Sequence, residues 1–246
     1  MSVYLFNSEG YSNLESFRSR RVILMDTKEN KNSLSLRNGQ LKVETLHGYT
    51  SLDLEKVLEF FQKLNADYLT IPREFEISKK SSTRNQKILD FFIENGKNLK
   101  LIQSVELFEE FEVKDEIYGY SLQLPKEYDL LDVEKFVQRV KKPVFTTCFG
   151  NFDEIENLIR VGVKEIDGVE YPFAKSVEGI LFVDEGEKIP QEKNLKDPIF
   201  HGSEERFGDF TLGYLHHLLE CDEILAVVLL TKHNLEIYSR FFQNLL

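Results

Sequence analysis

The stretch Val144-Phe145-Thr146-Thr147-Cys148-Phe149-Gly150-Asn151-Phe152-Asp153-Glu154-Ile155-Glu156-Asn157-Leu158-Ile159-Arg160-Val161-Gly162-Val163-Lys164-Glu165-Ile166-Asp167-Gly168-Val169 decides the fold. Val144 to Phe149 is short, apolar and rich in β-branched and aromatic residues, which reads as a strand. Phe152 to Val161 has helical periodicity and is followed by Gly162, a helix stop. Val163 to Val169 returns to a strand pattern. Two strands joined by one helix make a βαβ unit, whose strands pair in parallel.

The same alternation extends outward. Upstream, Tyr118 to Leu124 reads as a strand before a helix over Leu130 to Val140, and Leu99 to Val105 as a strand before a short helix over Leu107 to Phe111. Tyr68 to Ile71, closed by Pro72, precedes a helix opened by Ser82 or Thr83 and stopped by Asn95-Gly96. Ser51 stands before Leu52, Leu54, Val57, Leu58, Phe60, Phe61 and Leu64, another helical face. Strands in this alternation suggest a (β/α) barrel or an open doubly wound sheet. No G-x-G-x-x-G follows the first strand, which weakens a dinucleotide-binding reading. Before residue 50 lie short β-like pieces, Val3-Phe6, Arg21-Met25, Ser33-Leu36 and Leu41-Leu46, with Asn38-Gly39 as a hairpin turn. A further hairpin, Gly179 to Val183 with Glu187 to Pro190, precedes two Leu-rich helices that begin after Asp209 and are expected to pack on the barrel.

Composition bounds the function. The 246 residues are 41% hydrophobic and 12% aromatic, enough for a packed core without metal or disulfide. The longest apolar run, Ile224 to Thr231, is too short to span a bilayer, and Met1 to Gly10 has no signal-peptide pattern. Two cysteines, Cys148 and Cys221, read as buried inert thiols in a reducing cytoplasm. Lys and Arg number 31 against 42 Asp and Glu, a net charge of −11. Such a chain is a poor autonomous nucleic-acid binder, because polyanion affinity comes from clustered cations that release counterions.

The C-terminal run Tyr214-Leu215-His216-His217-Leu218, then Glu223-Ile224-Leu225, then Thr231-Lys232-His233-Asn234-Leu235 and Tyr238, resembles the end of the tRNA-guanine transglycosylases, the queuine and archaeosine tRNA-ribosyltransferases. Their pattern there is Y-[LI]-x-H-L, G-E-[IM]-L and T-x-H-N-[LI]-x-[FY]-Y. Upstream, Phe149-Gly150 with Asp153-Glu154-Ile155 is similar to G-x-G-x-P-E-D-[LI], and Gly162 to Val169 to G-[VI]-D-x-F-D-C-V. Ile102-Gln103 resembles the [IV]-Q-G-G strand, and Val22 to Asp26 stands where the family has I-L-T-D-S-G-G-F-Q.

The resemblance implies an α/β (β/α)8 TIM-barrel-like fold, shortened or incomplete before residue 50, with a pocket at the C-terminal strand ends. It divides the chain into a barrel over 1–198 and a C-terminal helical region over 199–246. In that family an Asp attacks the ribose to form a covalent intermediate and a second Asp moves protons. The resemblance places Asp167 on the nucleophile, Asp26 on the proton-transfer group and Gln103 on the base-reading glutamine, as candidate or relict site residues.

Much of the surrounding pattern differs. Thr27-Lys28-Glu29 replaces S-G-G, and Pro72-Arg73-Glu74 falls at the base-binding F-D-E, so charge there is reversed or displaced. Tyr171-Pro172-Phe173-Ala174-Lys175 replaces the arginine pair that grips tRNA. The family's zinc cysteines correspond to Gly202, Glu204 and Phe207, leaving His233 of the ligand set, so no zinc and no cofactor is expected. His233 then reads as a packed histidine, His216-His217 as a helix pair with one partly buried member, and His201 as a member of a minor alternative His/Glu site.

The expectation is an accessory, non-catalytic transglycosylase-like subunit of queuosine or archaeosine modification. It would be cytoplasmic, meet tRNA through a complex and form a homo- or hetero-oligomer with a transglycosylase-family or other tRNA-modification protein. The alternatives are an active transferase using Asp167 and a repurposed barrel scaffold unrelated to RNA.

Overall fold

A computed structural model of the chain describes residues 22–23, 34–37, 40–45, 48–63, 68–74, 79–148, 150–168, 170–186 and 188–245. They form two compact units: the described residues up to Glu127 with Lys135–Phe145, and Tyr128–Glu134 with the described residues from Thr146 onward.

In chain order the first unit contains β1 (Val22–Ile23), β2 (Leu34–Arg37), β3 (Gln40–Thr45), β4 (Gly48–Asp53), α1 (Leu54–Lys63), β5 (Tyr68–Ile71), α2 (Lys79–Asn95), β6 (Lys100–Glu106) and β7 (Gly119–Gln123). The chain crosses units within α3 (Leu130–Val140) and again within β8 (Val144–Thr147). Strands β1, β5, β6 and β7 pair in parallel in that order. The expected α/β class with a parallel sheet is therefore present. The arrangement is consistent with the expected, incomplete TIM-barrel-like fold; among the described strands, with β1 at an edge, the sheet does not close. β2, β3 and β4 form a separate antiparallel sheet in which Arg37 faces Gln40, the two-residue hairpin spacing expected around Asn38-Gly39. The strand expected at Val3-Phe6 lies outside the described residues.

Alternation sorts the parallel sheet into two faces. Leu69, Leu101, Val105, Tyr120 and Leu122 share the helix-covered face, where Tyr120 meets Phe136 of α3 edge-on. Tyr68 and Ile102 share the other face and cluster with Phe145. Each such buried side chain contributes about 1.5–3 kcal/mol.

Several expectations are corrected. Leu107 to Phe111 is not a helix: Glu109 turns back to accept the Glu106 N–H at 3.0 Å, and Phe111 leaves the turn to pack on Tyr120 and Phe136. The loop beyond it closes over Lys142, whose ammonium donates to the carbonyls of Lys114, Asp115 and Ile117 at 2.7, 3.0 and 2.6 Å. Ser51 lies in β4 and not at a helix start. Thr83 is inside α2, donating to the Lys79 carbonyl four residues back, so it does not cap the helix.

The second unit holds α4 (Phe152–Arg160), β9 (Glu165–Asp167), α5 (Glu170–Glu178), β10 (Ile180–Val183), β11 (Gln191–Asn194), β12 (Arg206–Phe207), β13 (Phe210–Thr211), α6 (Leu212–Glu220) and α7 (Ile224–Leu245). Asn151 caps α4 by accepting the Glu154 N–H at 2.8 Å. α5 was not expected; Pro172 sits in its first turn, where a missing N–H costs nothing. β11 lies beyond the expected Glu187 to Pro190 and pairs antiparallel with β10. The two Leu-rich C-terminal helices are present. One core joins Leu181, Leu195, Leu212, Leu215 and Leu230, and a second, aromatic one joins Phe152, Tyr171, Phe182, Tyr238 and Phe241. Cys148 is half-buried, while Cys221, expected to be buried, is exposed because it is the C-cap of α6. Among the described residues no helix is long and apolar enough to cross a membrane.

Candidate functional site

In the second unit, Asp167 is the last residue of β9. The strand end beyond it is built by close backbone approach. Tyr238 of α7 donates its hydroxyl to the Gly150 carbonyl at 2.7 Å. A Cβ on Gly168 would lie 2.3 Å from that hydroxyl, and one on Gly150, whose φ is +72°, 2.6 Å from it. The positive φ favours glycine at position 150, and at 168 a side chain fits only if Tyr238 shifts. Glu154 fixes the same loop from the other side: one carboxylate oxygen accepts the Gly150 N–H at 2.9 Å and the other the Tyr128 hydroxyl at 2.8 Å. Burial first, then the Glu154 carboxylate, pushes the Tyr128 phenol far above its ordinary pKa, so it stays a donor at any working pH.

The first unit holds Gln103, on β6 opposite Ile71 and Tyr120 in register and hence on the helix-covered face. It lines a cavity of about 740 Å³ together with Ser81 and Asn85 of α2, Arg73, Glu74 and Glu109. The Gln103 Oε1 is buried with no hydrogen-bond partner among the described residues, as are the hydroxyls of Ser104 and Thr70. Arg73 lies across the strand end: its Nη1 donates to the Ser104 carbonyl at 2.8 Å and to Glu109 at 2.7 Å. Glu74 is 5% exposed and its carboxylate receives Arg84 at both oxygens. Asn85 holds the Glu74 backbone at both its N–H and its carbonyl. At this strand end the Arg73 cation is therefore held in place, and the Glu74 carboxylate is engaged by Arg84. Asp26 lies outside the described residues, and the Asp167 and Gln103 backbones belong to different units.

The positions corresponding to the family's zinc ligands do not fit a zinc ion. Gly202 and Phe207 offer no donor, and Glu204 is exposed. Because a carbonyl only accepts, the His233 Nε2 carries the proton that it donates to Phe182 at 2.9 Å. The His233 ring packs on Phe207 at 4.8 Å, so apolar contact fills that place. The histidine pair divides cleanly: His216 is 2% exposed and His217 is exposed.

Two polar features escaped the sequence reading. Asn234 is fully buried on α7: its Oδ1 accepts the Phe182 N–H at 2.9 Å, and its Nδ2 donates to Ser176 at 3.0 Å and to the Ile180 carbonyl at 2.8 Å. It ties α7 to α5 and β10, so the T-x-H-N segment acts here as a structural strut. The second is a row of buried polar side chains on the sheet face opposite Gln103: Thr70, Ser104, Ser121 and Gln123. Short polar residues alternating with Leu122 and Val105 were the available signal.

The comparisons agree with this architecture. The family profile described as "Queuine tRNA-ribosyltransferase" matches residues 96–245, more than half of the chain. The chain is 32% identical to a queuine tRNA-ribosyltransferase of Acinetobacter baylyi over 137 residues, covering 52% of this chain and 35% of that protein. It is 26% identical to one from Tolumonas auensis over 229 residues, covering 79% and 60%. A queuine tRNA-ribosyltransferase-like protein of Plasmodium falciparum is 59% identical over 33 residues, 13% of this chain and 14% of that one. The matched part thus spans less than two thirds of the length of these relatives. With that profile matched over residues 96–245, and the parallel sheet and the paired C-terminal helices in place, the chain belongs to the queuine tRNA-ribosyltransferase family.

Proposed function

We propose that this chain serves tRNA deazaguanine modification, of the queuosine or archaeosine kind, as an accessory and non-catalytic subunit that meets tRNA through a complex. The observation that carries this reading is Arg73, held by the Ser104 carbonyl and Glu109 at the position where the resemblance expects the base-binding carboxylate. A guanine-type ring presents N–H donors on its recognition edge, and a carboxylate accepts them. A guanidinium is always charged and only donates. Donor facing donor in a partly buried site repels the ring and leaves both groups poorly solvated. A net charge of −11 favours tRNA contact through a more basic partner chain.

Exchange of labelled guanine into tRNA tests the reading, with the chain alone and with a catalytic transglycosylase added. The expected result is no exchange by the chain alone, and a stable complex with the catalytic chain that changes the exchange rate or tRNA affinity. Exchange by the chain alone that disappears in Asp167→Asn would overturn it in favour of an active transferase. Absence of any complex with tRNA-modification chains would overturn it in favour of a scaffold with no RNA role.

A further inference from the structure

We infer that His201, His216 and Glu220 form a binding site for one divalent transition-metal ion of the zinc class, distinct from the family's cysteine-based set. Each side chain offers one ligand atom, and these atoms all lie within 4.8 Å of one another. They form the single such group among the described residues.

The hydrogen-bond chemistry of His216 points to a cation. Its ring is 2% exposed, and Nδ1 lies 2.8 Å from the Leu195 carbonyl. A carbonyl has no proton to give, so Nδ1 carries the hydrogen and a neutral ring directs its lone pair from Nε2. That Nε2 lies 3.4 Å from Glu220 Oε1, one helical turn along α6. Two acceptors at this separation repel unless a positive charge lies between them, either a proton on the ring or a metal ion. Two ligand atoms bound at about 2.0–2.1 Å to a tetrahedral zinc stand roughly 3.3 Å apart, which matches the gap. The Leu195 carbonyl is also the kind of outer partner that fixes the orientation and tautomer of a ligating imidazole.

His201 arrives from a braced loop. It follows the 3-10 turn Pro198–Phe200, which Asp197 caps by accepting the Ile199 N–H at 3.0 Å. The Ser203 N–H bonds the Phe200 carbonyl, and Gly213 in the first turn of α6 donates to the Ser203 carbonyl at 3.1 Å. A Cβ on Gly213 would lie 2.7 Å from the Ser203 nitrogen, so loop and helix touch backbone to backbone. The His201 ring stands edge-on to His216 at 5.9 Å. Two imidazoles and a carboxylate leave a fourth position for water at an exposed edge, an open site that also staples the 198–203 loop to α6. Imidazole and carboxylate donors favour zinc, nickel or copper over magnesium or calcium.

The test uses tag-free full-length chain, stripped with chelator and titrated with zinc against a chromophoric competitor, and with cobalt(II) for its visible ligand-field bands. The expected result is one equivalent per chain with bands of a four- or five-coordinate ion. His201→Ala and Glu220→Ala, both at exposed positions that spare the buried ring, should each weaken binding at least tenfold. Cys221→Ser serves as a control for the nearby exposed His217–Cys221 pair and should change nothing. No bound metal in the wild type, unchanged binding in both variants, or a loss confined to Cys221→Ser would each overturn the assignment.

Discussion

The two units differ in how many of their buried polar atoms lack a partner among the described residues. In the second, the buried Asn234, Ser176 and Tyr238 and the half-buried His233 are each paired with a backbone or side-chain partner, with the Thr231 hydroxyl as the exception. In the first, Thr70 and Ser104 hydroxyls and the Gln103 carbonyl oxygen stay buried without partners among the described residues. An unmade buried hydrogen bond costs about 1–3 kcal/mol. The paired groups hold elements together, while the unpaired atoms of the first unit lie on both faces of its parallel sheet.

The largest effect that could break this contrast is at Asn234. Asn234→Ala removes the partner of the Phe182 N–H and of the Ile180 carbonyl, and is expected to cost about 3 kcal/mol or more in urea denaturation. A loss below about 1 kcal/mol would show that the strut is ornamental. Next comes the strand-end clamp. Gly168→Ala is expected to cost about 1–3 kcal/mol through the clash with Tyr238. The cost should shrink in a Tyr238→Phe background, because the two changes share one contact. Additive costs would place the clash elsewhere.

Smaller still is the change on the orphan side. Ser104→Ala removes a hydroxyl that makes no bond and should leave stability within about 0.5 kcal/mol, or raise it slightly. A clear loss would show that the hydroxyl is used. The smallest effect concerns Glu156, whose carboxyl is held below the usual carboxylate range first by Lys188 and then by Arg160. A lowered folded-state pKa stabilises above the unfolded value and loses that stabilisation as pH falls through the folded one. Glu156→Gln should therefore lower the melting temperature slightly near neutral pH. It should make no difference in acid, where both forms are neutral at this position.

How far the sequence spoke depended on which signal an element carries. α3 matched its expected bounds, Leu130 to Val140, and α4 nearly did, because apolar spacing alone defines an amphipathic helix. The loop after β6 misled for the same reason: Leu107, Phe108 and Phe111 imitate a helical face, yet Phe108 is 70% exposed. β11, Gln191–Asn194, has no hydrophobic pattern and is a strand through pairing with β10 alone. Around the candidate site, the resemblance singled out Gln103, whose face the alternation with Leu101 and Val105 encodes. That charge at Pro72-Arg73-Glu74 is reversed or displaced was visible; the tether of Arg73 to Glu109 was not, because thirty-six residues separate the pair and only folding joins them.

The ammonium of Lys142 has a practical consequence. All three of its donors are held by carbonyls of the 114–117 loop, so a bulky amine-acylating reagent is expected to reach this nitrogen chiefly when that loop swings away. Its labelling rate, followed by mass spectrometry beside exposed lysines such as Lys126, becomes a stopwatch for local opening of one loop while the rest of the molecule stays folded.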